Sequence, residues 1–157
     1  MIINEVSPKG DNNEDWVEIF NKRTNPINLK SWVITDNTSS DTLSTIDLFI
    51  PAGGYAIIVT NNSIITASIP SSATTVTINS LAIGNGLAHQ GDQLTLKDEN
   101  TNVIDMMSWG NDHTLTPHTP GQPGENKTLS RQPNGVDTNS GDDWISNATP
   151  STGTTNP

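Results

Sequence analysis

Glu5 and Glu18 come nearest to catalysis of any residues in this chain, because two carboxylates held about 5–10 Å apart can share general acid and base work in glycoside hydrolysis. They sit in Ile2-Ile3-Asn4-Glu5-Val6 and Asp15-Trp16-Val17-Glu18-Ile19-Phe20-Asn21, which read as adjacent β-strands. A glycosidase site also needs a cleft, sugar-stacking aromatics and one acid kept protonated. The chain has four tryptophans, two phenylalanines and one tyrosine, and most of them fall in strands that need them for a core. The pair therefore reads as framework, and no catalytic residue is assigned.

Asp11-Asn12-Asn13-Glu14-Asp15 opens like a calcium loop, with oxygen ligands for a hard cation at Asp11, Asn13 and Asp15. The full EF-hand pattern fails, since glycine at the sixth position and glutamate at the twelfth are replaced by Trp16 and Lys22. Calcium at Asp11, Asn13 and Asp15 stays as the metal candidate, and no other cofactor is expected. His113 and His118, with Asp112 and His89, are a weaker transition-metal set, because Pro117 and Pro120 restrict how the imidazoles converge. No Gly-x-Ser-x-Gly elbow or Ser-x-x-Lys is present, and Gly84-Asn85-Gly86 lacks the helix and lysine of a phosphate cradle. Enzyme activity is not expected.

The elements that would position these residues are strands, since short apolar or alternating segments recur between turn-forming breaks and helical periodicity is absent. Strands are expected over residues 2–6, 16–21, 27–29, 32–36, 45–49, 55–60, 74–79, 93–97, 103–109, 127–131 and 143–146. Val17 and Ile19 should face one side of the second strand and Trp16, Glu18 and Phe20 the other. Leu94 and Leu96 should point inward, and Trp144 should anchor a last short strand. Residues 61–72 are ambiguous, with Ile64, Ile65 and Ile69 scattered among Asn, Ser and Pro. The stretch from Gly110 to Asn126 is a long polar loop. The pattern predicts an all-β sandwich of two packed, mainly antiparallel sheets with long polar loops.

At 157 residues the chain reads as one domain. Its 31% apolar content is low, so the core should be thin, with Thr, Asn and Ser on the solvent faces of the strands. A formal charge of −10 repels phosphate, and the seven basic residues are scattered, so direct nucleic-acid binding is not expected. The absence of cysteine removes disulfides, thiolate metal sites and thiol chemistry. No apolar run reaches the roughly 20 residues that cross a bilayer, and Ile2-Ile3 follows Met1 with no signal-peptide pattern. The domain should occupy residues 1–147, with 148–157 a Thr/Ser/Pro-rich linker or disordered tail. The isolated chain is expected to be a monomer, since Lys, Asp and Pro near the first and last strands discourage edge pairing.

The order of segments carries a family resemblance. Asn4-Glu5-Val6, Asp15 to Asn21, Leu29-x-x-Trp32-x-x-x-Asp36 and Ile50-Pro51-Ala52-Gly53-Gly54-Tyr55 are followed by Gly91-Asp92-Gln93-Leu94-Thr95-Leu96 and Val103-Ile104-Asp105 to Trp109-Gly110. Leu129-Ser130-Arg131-Gln132-Pro133 and the segment from Thr149 to Asn156 complete the series. Together they resemble the lamin-tail domain in its bacterial and archaeal form. The resemblance implies an immunoglobulin-like fold and a noncatalytic module of a larger surface or secreted protein, extracellular or at the cell surface, that binds a protein or cell-envelope component. The alternative is a calcium-dependent or carbohydrate-binding adhesive module in which an exposed Trp109 or Tyr55 stacks on a sugar.

Overall fold

The computed structural model describes residues 1–9, 14–65, 68–115 and 119–157. Twelve strands follow in order: β1 (Ile2–Ser7), β2 (Trp16–Phe20), β3 (Ile27–Asn28), β4 (Val33–Thr35), β5 (Ser40–Thr42), β6 (Phe49–Ile50), β7 (Tyr55–Val59), β8 (Thr74–Thr77), β9 (Gly91–Lys97), β10 (Val103–Gly110), β11 (Thr128–Arg131) and β12 (Trp144–Asn147). A six-stranded sheet in the order β12-β11-β1-β2-β7-β8 packs over a four-stranded sheet in the order β10-β9-β4-β5, and β3 pairs β6 separately. Pairing is antiparallel except between β7 and β8. The expected sandwich is present, but β1 is an interior strand; β12 and β8 are the edges of the larger sheet.

The main core lies between the sheets, with Val6, Val17, Ile19, Ile58 and Leu129 from one and Ile34, Leu94, Leu96, Met107 and Trp109 from the other. Strand β9 alternates buried and half-buried residues, as a strand with one solvated face should. Strands β1 and β2 depart from this, being buried almost throughout. A second apolar cluster covers the outer face near β7, where Trp16, Ile57 and Val59 meet Ile65, Ile69 and Ala73. Ile65 and Ile69, from the stretch that reads ambiguously in sequence, thus cover the outer side of the sheet.

One expected strand is replaced. Residues 45–49 do not form it; Ser40–Thr42 pairs with Val33–Thr35 and Phe49–Ile50 with Ile27–Asn28. The turn before Ser40 is built by Asp36, whose Oδ1 accepts the amides of Thr38 and Ser39, each at 2.6 Å. That carboxylate stands in for a backbone turn acceptor, so a polar strand forms where no apolar alternation announces one.

Arg131 enters the core side of β11 beside Leu129 and is 1% exposed. Its Nη2 reaches Asp105 Oδ2 of β10 at 3.1 Å, its Nη1 reaches Asp143 and Asp137 at 3.2 Å each, and its Nε donates to the Ile3 carbonyl at 2.7 Å. The Trp144 ring covers the guanidinium at 4.6 Å. Removing one partner of a buried ion pair strands the other charge, a loss of about 3–5 kcal/mol. Urea denaturation of Arg131→Met should show a loss of that size, and Asp105→Asn in the same chain should add less than its own single-variant cost.

Candidate functional site

The Glu5 and Glu18 pair is made by a bulge. Along β1 and β2, Ile3 opposes Ile19, but the register then shifts so that Glu5 opposes Glu18, Val6 opposes Val17 and Ser7 opposes Trp16. Asn4 is the extra residue. An uninterrupted strand would put Glu5 on the same face as Ile3, inside the core. The bulge instead turns Glu5 to the outer face, opposite Glu18, while Val6 returns to the core.

Neither carboxylate reaches solvent, as Glu5 and Glu18 are both 0% exposed. The cover is the segment after β12. Glu5 Oε2 accepts the Ser151 amide at 3.1 Å and the Ser151 hydroxyl at 2.8 Å, and its Oε1 accepts the Thr128 hydroxyl at 2.5 Å. Glu18 Oε2 accepts the Gly153 amide at 2.7 Å and Oε1 accepts Asn4 Nδ2 at 2.8 Å. Asn156 Nδ2 donates to the carbonyls of Asn4 and Arg131, both at 3.0 Å, which ties the end of the segment to β1 and β11.

These contacts correct the reading of residues 148–157 as a linker or disordered tail. Gly153 and Asn156 are buried. A polar sequence docks here because its partners are polar too, and the Ser151 amide and hydroxyl, the Gly153 amide and the Asn156 carboxamide all find acceptors on the strands beneath. Gly153 has φ +72° and a Cβ there would lie 2.6 Å from Pro70 and 2.8 Å from Ala73, so only glycine fits between the segment and its neighbour.

Burial pushes Glu18 up to about 8 from an ordinary 4.5, and loss of solvation outweighs the Asn4 and Gly153 hydrogen bonds, with Glu5 nearby adding to the rise. Burial also raises Glu5. The pair has the raised acid that a glycosidase needs and none of the access, because every carboxylate oxygen already accepts from the protein itself.

Next to the covered pair is a cleft of about 440 Å³. Ser7, Lys9, Glu14 and Trp16 line it from the β1–β2 side, Ile65 and Ser68 from the stretch after β7, and Pro150, Ser151, Thr152 and Thr154 from the docked segment. Ser7 is fully buried at its floor, and its hydroxyl has no hydrogen-bond partner among the described residues.

The other candidates stay apart. Asp11 and Asn13 lie outside the described residues, and Asp15 is buried with Oδ1 accepting the Lys9 amide at 2.7 Å and Oδ2 the Leu87 amide at 3.1 Å. His118 also lies outside the described residues; His113 is exposed and His89 half-buried, and no metal-binding group forms among the described residues. Trp109, considered above as an exposed sugar stacker, is 0% exposed and donates Nε1 to the Ala88 carbonyl at 3.0 Å. It fills the core between the sheets. Tyr55 stacks on Phe20 with ring centroids 4.8 Å apart. Sequence reasoning did not single out Asn4, Asn134, Thr128 or Asn156 for this site; the signal for Asn156 was its place in the terminal segment of the resemblance.

The family model of the Lamin Tail Domain matches residues 1–111, which include β1, β2 and both strands β9 and β10 of the smaller sheet. The chain belongs to the lamin tail domain family. This lamin tail domain is immunoglobulin-like, and the family is one of noncatalytic domains. No curated protein matches the chain. The closing segment, residues 148–157, lies beyond the matched part of the lamin tail domain and covers the outer face of its larger sheet. Asn156→Ala would remove a donor from each of two buried carbonyls, and its unfolding free energy in urea should drop by about 1–3 kcal/mol.

Proposed function

We propose that this lamin tail domain is a noncatalytic binding and tethering module of a larger surface or secreted protein, and that it docks a protein or cell-envelope component. The observation that carries the reading is the cleft beside the covered carboxylates. At about 440 Å³ it falls in the size range of ligand sites. Its lining combines hydroxyls of Ser68, Ser151, Thr152 and Thr154, one charge of each sign at Lys9 and Glu14, and apolar surface from Trp16, Ile65 and Pro150. That mixture suits an extended polar chain with a few apolar groups and offers no exposed acid–base pair. The formal charge of −10 favours a neutral or basic partner.

Thr152→Trp, which fills the cleft from a half-buried position, tests this reading. The immobilised chain should retain a purified envelope protein or peptidic envelope fragment, and the variant should lose at least tenfold in affinity at unchanged melting temperature. Equal retention by both chains would move the working surface elsewhere. Hydrolytic turnover abolished by Glu5→Gln would sink the noncatalytic reading.

The same hydroxyl-rich cleft also favours, as a second reading, a carbohydrate-binding adhesive module. Binding of envelope glycans in place of protein, again lost with Thr152→Trp, distinguishes it. The first reading needs no cofactor. A melting temperature raised by several degrees in about 1 mM calcium, the range of extracellular modules, and not raised in Asp11→Ala, would instead put a cation at the loop of Asp11, Asn13 and Asp15.

A further inference from the structure

We propose that residues 150–156 form a proton-controlled strap, held down while Glu18 is protonated and released when Glu18 ionises, so that pH reshapes the cleft whose far wall the strap supplies. The inference rests on the binding role given to that cleft only for its consequence; the strap itself is argued from its contacts.

Three features set this segment apart. It joins no strand, and its hold on the sheet is made of hydrogen bonds from Ser151, Gly153 and Asn156 to Glu5, Glu18, Asn4, Asn134 and the Arg131 carbonyl. Two of those acceptors are carboxylates opposed across adjacent strands and fully buried. Pro150, Ser151, Thr152 and Thr154 also wall the cleft, so lifting the strap uncovers Glu5, Glu18 and the Trp16 side of the cleft in one movement.

Among the described residues no cation balances the pair. Across from Glu18 stand Glu5 on β1 and Ile57 on β7, while the strap brings only Ser151, Thr152, Gly153 and Asn156, none of them titratable. Thr128 and Ser130 of β11 and the carboxamides of Asn4 and Asn134 are neutral. Tyr55 of β7 receives Asn134 Nδ2 and lies 3.4 Å from the Thr155 hydroxyl. Lys9 and Glu14 face the strap across the cleft with opposite charge. Arg131 turns its guanidinium to the opposite face, where Asp105, Asp137 and Asp143 take it up. Ionising Glu18 therefore places a charge that hydrogen bonds alone offset next to Glu5 in a buried site, and release of the strap hydrates both.

The sign follows from the raised acid. With the strap down Glu18 titrates at about 8, against an ordinary 4.5 when hydrated, so the strap binds most tightly below 4.5 and weakens as pH rises through about 8. Each pH unit within that window is worth up to about tenfold in the docking equilibrium.

The test is nuclear magnetic resonance on the isotopically labelled full chain, without any ligand. The Glu18 carboxyl carbon should titrate above pH 6.5. Amide hydrogen exchange at Ser151 and Gly153, corrected for base catalysis and referred to Ile19 and Ile57, should lose at least tenfold in protection between pH 6 and 9. Glu18→Gln should remove that pH dependence. A Glu18 midpoint below 5.5, strap and core amides changing in parallel, or an unaltered profile in Glu18→Gln would each overturn the proposal. If Glu18→Gln does not fold, the carboxyl titration and the amide ratio in the native chain decide alone. Because no partner is present, failure here leaves the Thr152→Trp binding test standing, and failure of that test leaves the strap standing.

Discussion

A guanidinium cannot be left unpaired in a protein interior, and the placement of Arg131 at the end of β11 imposes that demand on much of this sandwich. Asp105 comes from the opposite sheet, Asp137 and Asp143 from the approach to β12, and the Ile3 carbonyl from β1. Asp105 reaches the core side only because β10 shifts register between Val103 and Asp105, which brings it opposite Leu96. The two sheets are thus joined by charge at one point and by apolar contact elsewhere. The backbone carbonyl of Arg131 also receives Asn156, so the inter-sheet anchor and the closing segment meet at one residue.

A chain with 31% apolar residues has too few to seal both faces of a six-stranded sheet with hydrocarbon alone. The inner face takes most of them. The outer face is closed in three patches of different chemistry: the Trp16, Ile57 and Val59 cluster, the Phe20 and Tyr55 stack, and the Glu5 and Glu18 pair under residues 151–156. Each patch uses side chains that β1, β2 and β7 turn away from the core. The abundance of Thr, Asn and Ser thus supplies buried hydrogen bonds as well as solvent-facing positions.

This arrangement bears on function because it consumes the groups that would do chemistry. Glu5 and Glu18 have the pairing of a catalytic dyad, and their oxygens are spent on Ser151, Thr128, Gly153 and Asn4. Asp15 uses both oxygens on backbone amides. What faces outward beside them is a cleft suited to contact. Its far wall is held by groups that respond to protons, which couples a framework feature to the surface assigned to binding.

The sequence by itself determined the class of fold, the inward residues of β2 and β9 and the burial of Trp144. Period-two alternation and turn residues are local properties, and Val17, Ile19, Leu94 and Leu96 announce their side of the sheet within a few residues. Tertiary structure decided the rest, since it depends on partners far apart in the chain. Trp109 looks like an available aromatic until β9 and the Ala88 carbonyl close over it. Ser40–Thr42 has no apolar period and becomes a strand because Asp36 builds its turn. Residues 148–157 have the composition of a linker, and nothing local reveals that a bulge at Asn4 presents two carboxylates to receive them; the energy of that docking lies in hydrogen bonds that neither end of the chain can make alone.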